Sequence, residues 1–371
     1  MQKIIFILPS LAGGGAERTV IQLANSLSEF DFTIHLAVCS LDGDKSKLVS
    51  EISSKVELIN LNCGRVLNAI FPLKKILNEE NYDYLISTQS HTNIIAAFSK
   101  KLTKVNTKLI FREVSTPSKN NKLKAHKKVF FKALVNFTYP MAEKVVCVSN
   151  GVEVDFREYY GYKKSNLTTI YNPVIDDSFF EKLKVPVEHK FFNDNNKVIL
   201  AVGRLTEAKN FGFLIRSFKI LYDFYPNTRL IILGEGELRP DLEALVQKLG
   251  LSDVVDLPGF DSNPYAYFKY ASLFVLSSSW EGLPGVLIQA LASKIKVLST
   301  DCPSGPIEIL DNSKFGLLVE CNDQIGMSKA MQKAIFEDYV KYSEADFEVH
   351  IQQFHKASVL KQYLDIMKPL F

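Results

Sequence analysis

Cysteine is scarce in this 371-residue chain, and the few cysteines are far apart. They occupy positions 39, 63, 147, 302 and 321, so no two of them form a CxxC pair. Disulfide-stabilised domains and zinc modules depend on closely spaced cysteines, and this distribution argues against both classes. Scattered free thiols are typical of a reducing compartment, so a cytoplasmic protein is expected.

Long apolar runs are also missing. No stretch approaches the roughly 20 consecutive apolar residues that a membrane-spanning helix needs. The apolar start, Lys3–Leu8, is too short for the core of a signal peptide, and the glycines at 13–15 follow at once. We interpret it as a first buried strand.

A large net charge is absent too, since the formal value is +3, but the basic residues are concentrated in one place. Between Lys100 and Lys132 there are 11 basic residues and a single acid, Glu113. Aromatic and aliphatic residues interleave with the lysines over 119–139. Such a segment can lie on an anionic membrane surface or form the solvated face of a helix, and both interpretations stay open. No nucleic-acid-binding motif accompanies the charge, so no nucleic-acid partner is expected.

Short apolar runs alternate with longer amphipathic segments along the whole chain. The short runs are 3–8, 33–38, 56–61, 84–87, 108–111, 144–148 and 168–171 in the first half, and 198–202, 230–233, 254–257, 273–276, 296–299 and 316–319 in the second. This alternation predicts parallel β/α units. A stretch rich in Pro, Asp and Asn at 172–196 predicts a linker. We therefore expect an α/β protein of two Rossmann-like, doubly wound domains, covering residues 1–175 and 190–355.

Glycines and charged residues follow many of these runs at their carboxyl ends, where ligands bind in parallel sheets. Gly13–Gly15 precede a predicted helix, whose first amides favour an anion such as diphosphate, although a plain tight turn is the alternative. Arg18 stands where a dinucleotide fingerprint has its third glycine, so that motif is not present. Arg204 and Lys209 offer a forked donor and a mobile charge that suit diphosphate oxygens, or they are two surface cations beside a helix start.

Glu281 and Gln289 are eight residues apart, and Pro284 between them suits the first turn of a helix. Eight helical residues rise about 12 Å and return to nearly the same side, so one ligand could meet both side chains. Glu281 could equally be an acid attracted by the helix dipole. Gln289 has apolar neighbours on both sides in the sequence, so it needs a hydrogen-bond partner.

Two further motifs are ambiguous. Asp42-Gly43-Asp44 matches a metal-binding pattern of another class of sugar transferase, but its Asp-Gly chemistry favours an exposed turn. His91 follows the run 84–87 and is a candidate for contact with a ligand.

The run Ser279-Trp-Glu281-Gly-Leu-Pro-Gly-Val-Leu-Ile-Gln289 resembles the E-x7-E signature of retaining GT-B glycosyltransferases of family 4. Further matches in the family's order are Gly13–Arg18, Tyr171–Pro173, Gly203-Arg204 with Lys209-Asn210, and Leu233–Gly236. The resemblance implies the GT-B fold, in which two Rossmann-like domains face each other across a deep cleft. It also implies that a C-terminal helix, about 359–371, packs back on the N-terminal, acceptor-binding domain.

The resemblance implies roles for individual residues. Glu281, Arg204 and Lys209 would be catalytic, with the two cations at the leaving diphosphate. The donor would lie against Gly14, Gly15, Gly234, Gly236, Phe260, Gly282, Leu283, Pro284 and Gln289. No metal ion or other cofactor is implied. Gln289 replaces the family's second acid, so weaker nucleotide binding is expected. Val114 stands where many relatives have a histidine, which leaves His91, Arg112 and Glu113 as acceptor-side candidates.

The implied reaction is retaining transfer of a hexose or N-acetylhexosamine from a nucleotide-diphosphate sugar, with UDP favoured. The implied acceptor is an undecaprenyl-diphosphate-linked saccharide of cell-surface polysaccharide synthesis, at the inner face of the cytoplasmic membrane. The segment 119–139 would contact that membrane. Alternatives are a sugar-nucleotide epimerase or hydrolase of the same fold, or a non-catalytic subunit that binds a nucleotide-sugar.

Overall fold

A computed structural model describes residues 2–120, 125–192, 195–337 and 342–367. The chain divides into two compact units. The first unit holds the chain up to Pro173 together with the segment from Lys356 onward, and the second is Val174–His355. The polar stretch 172–196 therefore belongs almost wholly to the second unit.

The first unit is built on a seven-stranded sheet. Its strands are β1 Gln2–Leu8, β2 Phe32–Val38, β3 Val56–Asn60, β4 Tyr84–Thr88, β5 Lys108–Glu113, β6 Lys144–Cys147 and β7 Leu167–Thr169. The spatial order is β3-β2-β1-β4-β5-β6-β7, and every pairing is parallel. Strand β1 lies inside the sheet, and from Ile4 to Leu8 its residues are all apolar and fully buried. Such runs are typical of parallel strands that are covered on both faces.

Helices connect these strands. They are α1 Gly15–Leu27, α2 Ile70–Glu79, α3 Ser90–Lys101, α4 Pro117–Asn120, α5 Ala125–Thr138 and α6 Asn150–Tyr160. Helix α6 shows why the sequence folds this way locally. Ser149 caps its start by accepting a hydrogen bond from the amide of Val152, and Gly161 ends it in the left-handed conformation.

The second unit is built on a six-stranded parallel sheet. Its strands are β8 Lys197–Val202, β9 Thr228–Leu233, β10 Val255–Gly259, β11 Leu273–Leu276, β12 Val297–Thr300 and β13 Leu317–Val319, in the order β10-β9-β8-β11-β12-β13. Its helices are α7 Asp177–Leu183, α8 Phe211–Phe224, α9 Arg239–Lys248, α10 Gly285–Ala292, α11 Pro306–Ile309, α12 Gln324–Phe336 and α13 Glu344–Gln352.

The last described helix, α14 Lys356–Met367, belongs to the first unit. Val359, Tyr363 and Met367 are buried in the core of that unit, and the helix packs beside α1. The hydroxyl of Tyr84 in β4 donates a hydrogen bond to the carbonyl of Met367. Residues 368–371, the expected end of this helix, lie outside the described residues.

The predicted α/β architecture with two doubly wound domains is confirmed. In each sheet the strand order reverses once, between β1 and β4 in the first unit and between β8 and β11 in the second. Ligands of doubly wound sheets bind beyond the carboxyl ends of the strands at this reversal. None of the described helices is long and apolar enough to cross a membrane.

Candidate functional site

In the second unit, the loops that follow β8 and β11 meet at the reversal of strand order. The first loop begins with Gly203-Arg204, and the second contains Ser277 through Glu281. The hydroxyl of Ser277 donates to the carbonyl of Lys209 at 2.8 Å, and the amide of Ser279 donates to the carbonyl of Ala208 at 2.8 Å. These bonds hold the two loops together. Lys209 and Glu281, which are 72 positions apart in the sequence, therefore belong to one site.

Lys209 and Glu281 form an ion pair at the centre of this site. The Lys209 Nζ lies 2.6 Å from the Glu281 Oε1, and the two side chains are only 20% and 13% exposed. The hydroxyl of Ser278 donates to the same carboxylate oxygen at 2.6 Å. Shielding from water makes the attraction between the two charges stronger than in an exposed pair. Removing either partner would leave the other charge poorly compensated.

Glycines allow the close approach of backbone and side chains here. A Cβ added to Gly203 would lie 3.2 Å from Cε of Lys209, so the lysine side chain passes directly over that residue. Gly234, after β9, has φ of +142°, and a Cβ there would lie 1.9 Å from the carbonyl oxygen of Gly203. A larger residue at 234 would therefore push apart the loops that carry Arg204 and Lys209. Gly236 follows two residues later and packs against the backbone of Leu205.

Arg204 and Phe260 are both exposed at this edge of the sheet. Within the described ranges, the guanidinium of Arg204 forms no hydrogen bond or ion pair, so it is available to an anion. Phe260 directly follows β10 and is 67% exposed. A large aromatic ring in that position offers a flat apolar face to a ligand.

The structure corrects one geometric expectation about Glu281 and Gln289. Helix α10 begins only at Gly285, so Glu281 lies in the preceding loop and the two residues do not share a helix. The loop is held in place because the amide of Glu281 donates to the carbonyl of Pro303 at 3.3 Å and the carboxylate is bound by Lys209. Between them, Gly282, Leu283 and Pro284 are buried.

Gln289 has the hydrogen-bond partner that its apolar surroundings require. Its Nε2 donates to the hydroxyl of Tyr265 at 3.2 Å. Tyr265 lies in the short 3-10 helix Pro264–Lys269 and packs edge-on against Phe179 of α7, with ring centroids 5.4 Å apart. The sequence interpretation missed Tyr265 because it belongs to no motif.

In the first unit, the glycine loop leads from β1 into α1. Gly14 is the N-cap, without any side-chain cap, and Gly15 is the first helical residue. The carboxylate of Glu17 folds back over Gly14. Arg18 pairs with Glu51 at the surface. Glu17 thus occupies space that an anion at the helix start would need, and it would have to swing away to admit one.

His91 is the second residue of α3, which follows β4 at the reversal in the first sheet. It is exposed, and its ring lies 4.9 Å from that of Phe131 in α5. Partial removal of the ring from water lowers the pKa of His91 below its ordinary value. The imidazole is therefore neutral at pH 7 and able to donate one hydrogen bond and accept another.

Arg112 is fully buried near the end of β5. Its Nε donates to the hydroxyl of Tyr363 in α14 at 2.8 Å, its Nη2 donates to Oδ1 of Asn172 at 2.8 Å, and its Nη1 lies 3.4 Å from Oγ1 of Thr88. The guanidinium thereby ties β5 to the last helix of the chain. This environment favours a structural role for Arg112 over contact with an acceptor.

Glu113, the last residue of β5, is also buried. Its carboxylate accepts hydrogen bonds from Asn93 at 2.9 Å, from Ser90 at 3.0 Å and from the hydroxyl of Tyr139. Burial raises the pKa of Glu113 to about 7, and the three hydrogen bonds only partly oppose that rise. A carboxyl group with this pKa changes its charge near neutral pH.

Metal-ligating side chains are dispersed. Within the described part of the chain, no three His, Cys, Asp or Glu side chains lie close enough together to hold a metal ion. Asp42 and Asp44 stand at a short 3-10 turn, Gly43–Ser46, where Asp44 pairs with Lys47 at 3.0 Å. This is the exposed turn that the sequence predicts.

Comparison with known proteins covers almost the whole chain. Residues 13–178 match the family model described as Glycosyltransferase Family 4, and residues 187–345 match the model described as Glycosyl transferases group 1.

Two similar proteins come from Campylobacter jejuni. One, N-acetylgalactosamine-N,N'-diacetylbacillosaminyl-diphospho-undecaprenol 4-alpha-N-acetylgalactosaminyltransferase, is 30% identical over 356 residues, with 92% of each chain covered. The other, GalNAc-alpha-(1->4)-GalNAc-alpha-(1->3)-diNAcBac-PP-undecaprenol alpha-1,4-N-acetyl-D-galactosaminyltransferase, is 27% identical and covers 91% of this chain and 90% of its own.

A solved structure shows the same fold. HepE of Anabaena, in complex with UDP and glucose, is 17% identical, has a TM-score of 0.77, and is matched over 98% of this chain and 99% of its own. Two parallel doubly wound sheets, two matching family models and a relative at 30% identity agree. The chain therefore belongs to glycosyltransferase family 4 and is a sugar-transferring enzyme with the GT-B fold.

Proposed function

We propose that this enzyme transfers a hexose or N-acetylhexosamine from a UDP-sugar to an undecaprenyl-diphosphate-linked saccharide, with retention at the anomeric carbon. The observation that carries the proposal is the shielded Lys209–Glu281 pair beside the exposed Arg204, at the strand reversal of the second sheet. The acceptor class is supported by the names of the two Campylobacter relatives. The UDP donor is supported by the complex of HepE with UDP and glucose.

The charges of this site suit a diphosphate leaving group. Lys209 and Arg204 would place two positive charges where negative charge develops as the bond between the anomeric carbon and the diphosphate breaks. Glu281 would accept hydrogen bonds from hydroxyls of the donor sugar, because Lys209 and Ser278 already fix its position. We infer that these residues act without a metal ion.

Retention fits a front-face reaction. The acceptor hydroxyl would attack the anomeric carbon from the side that the diphosphate leaves, and its proton would pass to the departing phosphate oxygen. No strong protein base is needed for that step. His91, neutral at pH 7, would hold a sugar hydroxyl by a hydrogen bond.

The nucleotide would occupy the part of the second unit between Phe260 and Gln289. Phe260 offers its exposed ring to the base. Because Gln289 donates from Nε2 to Tyr265, its Oε1 is oriented to accept a hydrogen bond from a ribose hydroxyl. A neutral acceptor binds a hydroxyl less strongly than a carboxylate does.

Replacing Gln289 by glutamate is therefore expected to tighten UDP binding by up to about tenfold, the equivalent of about 1.4 kcal/mol. The Tyr265 hydroxyl can donate to the new carboxylate, so the contact survives. The chain has one tryptophan, Trp280, beside Glu281, and a fluorescence titration with UDP would measure the affinity. Gln247→Glu, on the exposed surface of α9, is the matched control. Equal affinities in both variants and the wild type would contradict a ribose contact at 289.

A thermal-shift panel tests the nucleotide. UDP and UDP-sugars at about 100 times their Kd should raise the free energy of unfolding by about 2.7 kcal/mol and increase Tm accordingly. GDP and GDP-mannose should leave Tm nearly unchanged. A larger shift with GDP than with UDP would overturn the assignment of the base.

We further propose that the first unit binds the inner face of the cytoplasmic membrane through the segment 119–139. Residues 121–124, including Lys122 and Lys124, lie outside the described residues. In α5 the apolar side chains of Val129 and Phe130 are 70% and 65% exposed, directly after Lys127 and Lys128. Exposed apolar residues beside lysines can insert between anionic lipid headgroups.

A second group of exposed apolar residues supports the same proposal of membrane binding. Leu67, in the short 3-10 helix Val66–Ala69, and Phe71, at the start of α2, are each 72% exposed. Helix α3, whose first turn carries His91, contacts both α2 and α5. A lipid-linked saccharide held at His91 would then have membrane-binding side chains on two neighbouring helices.

A further inference from the structure

The carboxylate of Glu113 is bound by three neutral donors. Asn93 and Tyr139 donate to its Oε1, and Ser90 donates to its Oε2. The side chain is 1% exposed and therefore touches no ligand directly. A buried carboxylate is costly unless it is well bonded, so these contacts constrain its neighbours closely.

Two of the three donors belong to the first turn of α3. Ser90 is the first residue of that helix and Asn93 is the fourth, and His91 lies between them. The preceding Gln89 has φ of +76°, in the left-handed region, and provides no side-chain cap. A non-glycine residue keeps such a conformation only where its surroundings hold it. The carboxylate of Glu113 thus stabilises a helix start that lacks its own cap. Its negative charge also interacts favourably with the positive, N-terminal end of the helix dipole.

We propose that Glu113 is a positioning residue for sugar transfer, because through Ser90 and Asn93 it fixes the first turn of α3 and with it His91. The inference rests on the proposed function in taking His91 as a contact of the reacting sugars. It assigns Glu113 no contact with the donor or the acceptor.

Only the ionised form of Glu113 can accept all three hydrogen bonds at once without any donor turning away. A carboxylate accepts from all three donors, whereas a protonated carboxyl must itself donate and forces one partner to turn. The other titratable groups that face it are Tyr139, Tyr160 of α6 and Cys147 of β6. Burial raises the pKa of each of these far above neutrality, so they remain uncharged. The pKa of Glu113 itself, about 7, places its change of charge near neutral pH.

The transfer rate should therefore rise with pH through a midpoint near 7 in the wild type. In Glu113→Gln, which keeps the shape but cannot ionise, this midpoint should vanish. In Ser90→Ala, which removes a donor to the ionised form, the midpoint should move to higher pH. In His91→Gln the rate falls but the midpoint stays, which separates Glu113 from the histidine. Glu158→Gln, exposed on α6, is the control and should keep the wild-type profile.

A stability measurement checks the ionisation without any assay of transfer. The folded-state pKa of Glu113 is raised above its ordinary 4.5, so the group favours folding at low pH and loses that contribution as pH rises through about 7. Glu113→Gln should accordingly gain Tm relative to the wild type on going from pH 5 to pH 8. If Glu113→Gln does not fold, Ser90→Ala replaces it in the Tm measurement. Because this change raises the pKa of Glu113 further, the loss of Tm should extend to higher pH than in the wild type.

The imidazole NMR resonances of His91 provide the decisive readout. In the wild type they should show two pH-dependent shifts, one from the histidine's own titration at lower pH and one with a midpoint near pH 7 from the ionisation of Glu113. The component with the midpoint near pH 7 should be lost in Glu113→Gln. Absence of the component in the wild type would overturn the positioning role even if sugar transfer is observed. If the component is present but no sugar is transferred, the proposed function fails and the link between Glu113 and His91 stands.

Discussion

Replacing Lys209 with alanine is expected to lower kcat for sugar transfer by about 100-fold or more. Removing one preorganised charge or donor at a developing negative charge typically costs 10²–10³ in kcat, or about 3–4 kcal/mol. Here the loss is compounded because Glu281 would keep a shielded carboxylate with its cation gone. Steady-state kinetics with a labelled UDP-sugar would measure the effect.

The control for this change is another paired lysine of the same unit. Lys219 pairs with Asp223 on the surface of α8, and Lys219→Ala should leave kcat within twofold of the wild type. Arg204→Ala should lower kcat at least tenfold, because its exposed guanidinium would face the same diphosphate. Near-normal rates in both the Lys209 and Arg204 variants would contradict the assignment of the diphosphate site to this edge of the sheet.

Reversing the charge of Lys127 and Lys128 together should weaken binding to anionic membranes by about two to three orders of magnitude. A basic side chain near an anionic surface contributes about 1 kcal/mol, and each Lys→Glu change both removes an attraction and adds a repulsion. Sedimentation with phosphatidylglycerol vesicles, compared with phosphatidylcholine vesicles, would show the loss.

The matched control reverses two exposed lysines of the second unit, Lys248 and Lys269, and so produces the same change in net charge. Their reversal should alter vesicle binding only slightly. If both double variants sediment like the wild type, α5 is not a membrane-binding element. Raising the salt concentration should weaken wild-type binding in parallel, since the attraction is electrostatic.

The strands could be predicted from sequence because buried parallel strands are continuous apolar runs. All thirteen predicted runs coincide with strands to within two residues at either end. β1 illustrates the reason, since its covered interior needs apolar side chains on both faces. The carboxyl ends of such strands also pointed to the loops that bring Arg204, Lys209 and Glu281 to one edge.

Partners that come from distant parts of the chain could not be predicted. Gln289 needed a hydrogen-bond partner, but nothing local identified Tyr265, 24 residues earlier, as that partner. The sequence makes Arg112 an acceptor-side candidate because Val114 stands where relatives have a histidine, but the structure buries Arg112 completely. Its burial is possible only because Tyr363, 251 residues later, and Asn172 supply acceptors. The sequence pattern predicts Glu281 at the start of a helix, but α10 begins four residues later, at Gly285. Contacts within the loop, such as the bond from the Glu281 amide to the carbonyl of Pro303, hold its backbone instead.

A transfer assay with purified enzyme tests the proposed sugar transfer directly. It combines radiolabelled UDP-hexoses and UDP-N-acetylhexosamines with undecaprenyl-diphosphate-linked saccharides, and it follows both the lipid-linked product and the released UDP. We expect one donor to extend the lipid-linked saccharide by a single sugar in an α-linkage, with UDP released in equal amount and only when acceptor is present. Donor consumption without acceptor would identify an epimerase or hydrolase. Nucleotide binding without transfer to any lipid-linked saccharide would rule out the proposed activity and identify a non-catalytic subunit.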